Sequence, residues 1–194
     1  MKRQFLSALR VTLFLILVCG IIYPLSVTAV GNLVFPRQAQ GSLIHDQGKV
    51  IGSSLLGQAF EGGEWFHPRS SHAGEGYDAT ASAASNLGPT NPDFLALVKD
   101  RGDQYRQANN LSDDADIPVD AVTSSASGLD PHISLANAKL QTRRVALARD
   151  VSTDTIVRLV KNNTQSPYFN LLGQKTVNVV TLNRDLANLT RKPQ

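Results

Sequence analysis

The feature that most constrains this chain is an uncharged run of 26 residues near its start, from Val11 to Pro36. The run is rich in Leu, Ile and Val and contains no acidic or basic side chain. About 20 helical residues are enough to cross the hydrocarbon core of a bilayer. The run therefore predicts one transmembrane helix over residues 11–34.

The charges that flank this run predict its orientation. Three cations precede it within residues 1–10, whereas Arg37 alone follows it closely. Positively charged flanks of a membrane helix tend to stay in the cytoplasm. We therefore expect residues 1–10 in the cytoplasm and residues 35–194 as a domain outside the cytoplasmic membrane. The three cations are Lys2, Arg3 and Arg10.

The same residues also fit a cleaved secretory signal peptide. The cations would form its basic start, residues 11–23 its apolar segment, and residues 27–29 an acceptable cleavage site. The uncharged run continues past Ala29 to Phe35, which favours a retained anchor. Spacing alone leaves both interpretations open.

Beyond its first residues the chain is electrically balanced. From Arg37 onward it carries 16 basic and 16 acidic side chains, so the formal net charge of +3 comes from residues 1–10. A neutral domain gives little support to nucleic acid as a partner. The single cysteine, Cys19, leaves no internal disulfide.

Residues 35–194 are long enough for one domain with a packed core. Periodicity and turn residues predict a hairpin around Gln47-Gly48 and a long ordered loop over residues 67–89. Residues 177–182 alternate and are β-branched, which predicts a core strand. We expect an α+β fold, with a small sheet packed by helices. Candidate helix starts are Asn91, Asp130, Ser134 and Ser152 or Thr153.

The sequence lacks the arrangements typical of catalysis or metal binding. It has no Asp-Lys-Thr-Gly phosphorylation motif, and its four histidines form no i, i+4 pair. Asp130 and His132 flank Pro131, and we interpret them as a capping carboxylate and a hydrogen-bonded loop histidine. No catalytic residue, metal ligand or bound cofactor is predicted. An anchored or secreted hydrolase or binding protein is the alternative from a different class.

Several stretches resemble the C subunit of the potassium-transporting Kdp ATPase, a bacterial P-type pump complex. Their order and spacing extend the resemblance over nearly the whole chain, and the loop from Ser127 to Ser134 is its most specific part. His67-Pro68-Arg69 departs from the family, in which Arg precedes Pro. The stretches are residues 51–58 (IGSSLLGQ), 65–70 (WFHPRS), 85–92 (SNLGPTNP), 123–134 (TSSASGLDPHIS), 141–146 (QTRRVA) and 177–183 (VNVVTLN).

This resemblance implies an accessory, non-catalytic subunit of a high-affinity, ATP-driven potassium uptake complex. Its partners would be a channel-like potassium-binding subunit, a P-type catalytic subunit and a small single-span subunit, and these would handle potassium and ATP. The resemblance implies a helix that is kept in the bacterial inner membrane. The expected roles are assembly and stability of the complex and shaping of the outer ion entrance.

The resemblance also points to individual residues. For this family a nucleotide role has been suggested at a Ser-Gly loop and a Gln, here Ser127, Gly128 and Gln141. The predicted topology puts these residues on the side of the membrane where ATP is not held. We therefore expect the loop to dock onto partner subunits instead. Candidate docking residues are Asn86, Gly88, Asp130, His132 and Ser134.

Overall fold

A computed structural model describes residues 2–167 and 172–189 of the chain. The chain forms two compact units, Met1–Ile51 and Gly52–Gln194. The first contains a continuous apolar helix, Lys2–Val34, the only helix of the described residues that is long and apolar enough to span a membrane. Its large hydrophobic side chains are exposed, as expected of a surface that lipid or another membrane helix covers.

This apolar helix contains a π-helical turn directly before Pro24. Helix α1 covers Lys2–Leu17, the π-helical turn covers Val18–Ile22, and α2 covers Tyr23–Val34. In a regular α-helix the proline ring would clash with the carbonyl of residue 20, and proline has no backbone N–H. The wider π-helical turn accommodates the proline without ending the helix.

Short elements follow the apolar helix. Strands β1, Leu43–Asp46, and β2, Lys49–Ser53, form a two-stranded sheet, which confirms the predicted hairpin. No helix or strand occurs among residues 54–91, so the predicted long loop is also confirmed. The remaining elements are α3 Pro36–Ala39, α4 Pro92–Asn109, α5 Val119–Val122, β3 His132–Ser134, α6 Leu135–Ala148, α7 Thr153–Asn162, β4 Thr164–Gln165, β5 Thr176–Asn178 and α8 Val179–Leu189.

Short polar side chains start three of the longer helices. Asn91 precedes α4, Ser134 precedes α6 and Ser152 precedes α7. In each case the side-chain oxygen accepts a hydrogen bond from a backbone N–H of the first turn, at 2.8 to 3.3 Å. These N–H groups have no partner within the helix, so the cap satisfies them. The three predicted starts are confirmed, whereas Asp130 starts no helix.

The predicted strand over residues 177–182 is wrong beyond Asn178. Strand β5 ends there, and α8 begins at the next residue. The Asn178 side chain accepts hydrogen bonds from the backbone N–H groups two and three residues later, both at 3.1 Å, and so caps α8. Val179, Leu182 and Leu186 are buried at helical spacing, and a short apolar run fits either structure.

One hydrophobic core holds the second unit together. Its antiparallel three-stranded sheet has the order β3-β5-β4, with Ile133 of β3 opposite Val177 of β5. Helices α6 and α8 both contact β5, and α7 contacts α6 and α8. This arrangement confirms the α+β prediction. The largest buried apolar side chains are Phe66, Ile133, Val145, Ile156, Val177, Val179, Leu182 and Leu186.

Hydrogen bonds order the long loop locally. The hydroxyl of Ser71 accepts from the backbone N–H groups of Ala73 and Tyr77, at 3.1 and 2.8 Å. The hydroxyl of Tyr77 donates to the carbonyl of Arg69. Burial raises the pKa of Tyr77 to about 12, so the phenol remains a donor at neutral pH. The loop therefore has a defined conformation without regular secondary structure.

Candidate functional site

Two buried amide side chains bind one piece of loop backbone, at Phe66 and His67. Asn183 of α8 accepts from the N–H of Phe66 at 3.0 Å and donates to its carbonyl at 2.9 Å. Gln141 of α6 makes the same pair of contacts with His67, at 2.7 and 3.0 Å. We call these four residues the amide clasp. The clasp supplies the hydrogen bonds that a sheet would otherwise give this backbone.

The carboxamide of Gln141 has no free hydrogen-bonding capacity. Besides its two bonds to His67, its Nε2 donates to Asn137 Oδ1 at 2.8 Å and its Oε1 accepts from Arg144 at 2.9 Å. A neutral amide has two donor protons and two acceptor lone pairs, so all four are in use. The residue is only 1% exposed. A ligand could bind Gln141 only by breaking one of these bonds.

Arg144 extends the network to the loop before the clasp. Its Nη1 donates to the carbonyls of Gly63 and Trp65, at 2.7 and 2.9 Å, and its Nε donates to Asn109 Oδ1 at 3.0 Å. No ion pair of the described residues includes Arg144, so carbonyl and amide oxygens stand where a carboxylate would be expected. Burial lowers the pKa of this guanidinium, against the raising effects of Tyr105 and Glu64.

A second branch of the network joins α4, α5 and α6. Asn137 Oδ1 accepts from the hydroxyl of Tyr105 at 2.8 Å. Asp120 Oδ2 accepts from Asn137 Nδ2 at 3.0 Å and from the N–H of Ser134 at 2.7 Å. Burial raises the pKa of Tyr105, and the charge of Asp120 adds to this effect, so the phenol stays protonated and donates. The negative charge of Asp120 also interacts favourably with the positive end of the α6 helix dipole, at the helix N-terminus.

The structure gives Ser127 and Gly128 a loop-packing role. Gly128 is buried with a φ of +70°, and a Cβ there would lie 2.7 Å from the carbonyl oxygen of Ala83 and 2.8 Å from the nitrogen of Ala73. The carbonyl of Ser127 accepts from the N–H of Ala83 at 3.1 Å. No hydrogen bond of the described residues joins either residue to Gln141. Ser127 and Gly128 therefore belong to one hydrogen-bonded loop, and Gln141, the third residue suggested for a nucleotide role, belongs to a different network.

Asp130 caps a turn and not a helix, which corrects the sequence prediction. Its Oδ1 accepts from the backbone N–H of His132 at 3.0 Å and lies 3.1 Å from the ring Nδ1. Its Oδ2 lies 3.5 Å from Arg69. Burial alone would raise the pKa of Asp130, but the hydrogen bonds from His132 and the charges of His132 and Arg69 outweigh it and lower the pKa. The residue precedes β3, so its hydrogen bonds order a strand entry.

The remaining candidate docking residues differ in accessibility. Asn86 and Gly88 lie on the exposed part of the long loop, and nothing lies within 4 Å of a Cβ built on Gly88. Ser134 is engaged as the cap of α6. Asp130 and His132 are half-buried and bonded to each other. Among the five candidates, Asn86 and Gly88 have the most free surface.

Sequence reasoning missed most members of the network around the clasp. Its central residues on α6 are spaced by four and three positions, so they share one inward helix face. A row of polar side chains on one helix face is usually exposed to solvent. Only apolar residues beside these positions could have indicated that this polar face is buried. The missed residues are Tyr105, Asp120, Asn137, Arg144 and Asn183.

Comparisons with known proteins agree with the sequence resemblance. A family profile described as "KdpC: K+-transporting ATPase, c chain" matches residues 5–188. Proteins named "Potassium-transporting ATPase KdpC subunit" match over most of their length. The one from Mycobacterium tuberculosis is 51% identical over 97% of this chain and 100% of its own length. The one from Beijerinckia indica is 49% identical over 94% and 90%, and the one from Caulobacter vibrioides 49% over 86% and 84%. Because the profile and these relatives match nearly its whole length, this chain belongs to the KdpC family.

Proposed function

We propose that this chain is a non-catalytic, membrane-anchored subunit that assembles and stabilises a potassium-transporting ATPase complex. The observation that carries the proposal is the exposed apolar surface of Lys2–Val34, which needs lipid or another membrane helix to cover it. A channel-like subunit, a P-type catalytic subunit and a small single-span subunit are the proposed partners. Potassium and ATP are handled by these partners.

The internal use of polar groups supports a scaffolding role. Gln141 has all of its hydrogen-bonding capacity engaged, and Gly128 is fixed by loop packing. A fully satisfied polar network makes a domain rigid and its surface well defined. A rigid domain loses little conformational entropy on docking, which favours a stable subunit interface. The chain would then contribute a preformed surface and no chemistry.

The proposed topology places the N-terminus in the cytoplasm and the second unit outside. Single cysteines introduced by Ser7→Cys and Ala126→Cys, each with Cys19→Ser, would test this with a membrane-impermeant maleimide. Ala126 is exposed in the loop that contains Gly128. We expect the variant at residue 126 to react in intact spheroplasts and the variant at residue 7 only after lysis. The reverse pattern would contradict the topology.

Assembly is tested by replacing the apolar helix with an unrelated single-span helix of equal length and flanking charge. We expect the partner subunits to be lost when the tagged chain is purified from native membranes, because specific helix packing holds membrane subunits together. Undiminished co-purification would show that the helix is a passive anchor.

The outer docking surface is tested at Gly88, where a large side chain has room. We expect Gly88→Arg to reduce co-purification at least about fivefold, because an unmatched charge at an interface is costly. The matched control is Gln107→Arg, which puts the same charge on the exposed side of α4. If both variants assemble normally, the partner contacts lie away from residues 86–88.

A further inference from the structure

A basic, partly apolar cavity on the second unit has no role in the function proposed above. It measures about 430 Å³ and lies between α6, α7 and the strand region after α7. Three of the seven lysines in the chain line it. We call it the lysine cavity and define it by Lys139, Lys161 and Lys175 together with the apolar side chains of Leu135, Val157 and Val160.

The charge in this cavity is unbalanced. Among the described residues, Lys139, Lys161 and Lys175 form no ion pair and no carboxylate lines the cavity. Three positively charged side chains line one concave surface, and an anion bound there would complement their charge. The charge of the cavity therefore favours an anionic ligand.

The part of the chain that forms the cavity has an excess of basic side chains, which adds to the positive electrostatic potential at the cavity. Residues 132–189 carry eight Lys and Arg but only three Asp and Glu, whereas residues 37–131 carry six and thirteen. The neutral total thus hides a basic half and an acidic half. A low-dielectric concave surface lined by one sign of charge focuses that field on a ligand.

The apolar residues decide between kinds of anion. Val160 is buried in the core beneath the cavity, and Val157 is 47% exposed at its surface. A bare inorganic ion would leave this apolar surface wet, whereas an amphiphile would cover it while its head group meets the lysines. The hydroxyls of Thr142 and Thr164 donate to helix carbonyls, so the donors left for the anion are the three ammonium groups and Ser166.

We propose that the lysine cavity binds an anionic phospholipid, with the phosphodiester head group between the three lysines and its apolar part against Val157 and Val160. The membrane anchor of the chain keeps such lipids available. The site is separate from the amide clasp and from the exposed loop at Gly88, so its role does not depend on the proposed docking surface.

The test uses the full chain in a neutral maltoside detergent and native mass spectrometry with short-chain phosphatidylglycerol. We expect the triple variant Lys139→Gln, Lys161→Gln and Lys175→Gln to bind this lipid at least about tenfold more weakly, since each basic residue near an anionic head group contributes substantially. The control removes two exposed cations outside this basic part of the chain, by Lys49→Gln and Lys99→Gln, and should change binding by less than about twofold.

Two further arms separate the sources of binding. Val157→Glu keeps all three lysines but adds a carboxylate to the apolar side, and it should also abolish the preference for phosphatidylglycerol over phosphatidylcholine. Inorganic phosphate should compete only weakly. The proposal is overturned if the cavity variants bind like the control, if phosphatidylcholine binds equally well, or if inorganic phosphate binds as tightly as the lipid.

Discussion

Replacing Gln141 by alanine should weaken the fold and leave nucleotide handling unchanged. The variant loses four hydrogen bonds, to both backbone groups of His67, to Asn137 and to Arg144. A net contribution of about 1 kcal/mol for each bond gives a loss of about 4 kcal/mol. A cavity of about 230 Å³ borders Gln141, so water can enter and form hydrogen bonds with some of the groups that Gln141 leaves unpaired. We therefore expect a loss of about 2–4 kcal/mol in the free energy of unfolding.

The assay is urea unfolding of the full chain in detergent, followed by the fluorescence of Trp65. Trp65 is the only tryptophan of the sequence, its carbonyl accepts from Arg144, and its ring lies 4.3 Å from the guanidinium of Arg149. Its emission therefore reports on the clasp region. The matched control is Gln107→Ala on the exposed side of α4, which should change stability by less than about 0.5 kcal/mol.

A direct role of Gln141 in nucleotide binding predicts a different result from a structural role. In the assembled complex, at a temperature where the variant is folded, Gln141→Ala should leave the apparent affinity for ATP unchanged. The reasoning is refuted if the variant unfolds at the same urea concentration as the parent and yet weakens ATP affinity. That outcome would mean that Gln141 contributes to nucleotide handling and not to the fold.

Three other perturbations have defined outcomes. Gly128→Ala should lower the free energy of unfolding by about 1–3 kcal/mol, because the left-handed φ and the contact with Ala83 both oppose a Cβ; an unchanged melting temperature would contradict this. Burial and the charge of Arg144 lower the pKa of His67 below its ordinary 6.5, so the unfolded chain takes up this proton first. Stability should therefore be complete above about pH 6.5 and fall as the pH drops from there towards the folded pKa, and urea midpoints should show a smaller slope in His67→Gln. Neutralising the exposed Asp113, Asp114 and Asp116 together to Asn should change the apparent potassium affinity of the complex by less than about threefold; a tenfold loss in an intact complex would place these residues at ion capture.

Local features of the fold could be predicted because their causes are local. The caps at Asn91, Ser134 and Ser152 each need one side chain and the N–H groups that directly follow it. The hairpin at Gln47-Gly48 needs only turn residues between two short apolar runs. The failure at Asn178 has the same origin, since one cap residue turned an apparent strand into a helix.

The network around the clasp could not be predicted from local pattern. Gln141 and Asn183 bind backbone groups of a distant loop, and a backbone acceptor has no sequence signature. Arg144 adds to the difficulty, because its partners are carbonyls where a search would look for an acidic side chain. The family resemblance marked residues 65–70, 141–146 and 177–183 as important, but only the structure shows that they meet.

The amide clasp also constrains when the domain can finish folding. Its Asn183 contacts join residues 117 positions apart, so the backbone of Phe66 stays unpaired until α8 has been synthesised. Contacts of such long sequence separation form late and slowly. If the domain crosses the membrane from its N-terminal end, nearly all of it must emerge before the core can close. In that case the second unit should remain vulnerable to proteases throughout translocation and become resistant in a single late step.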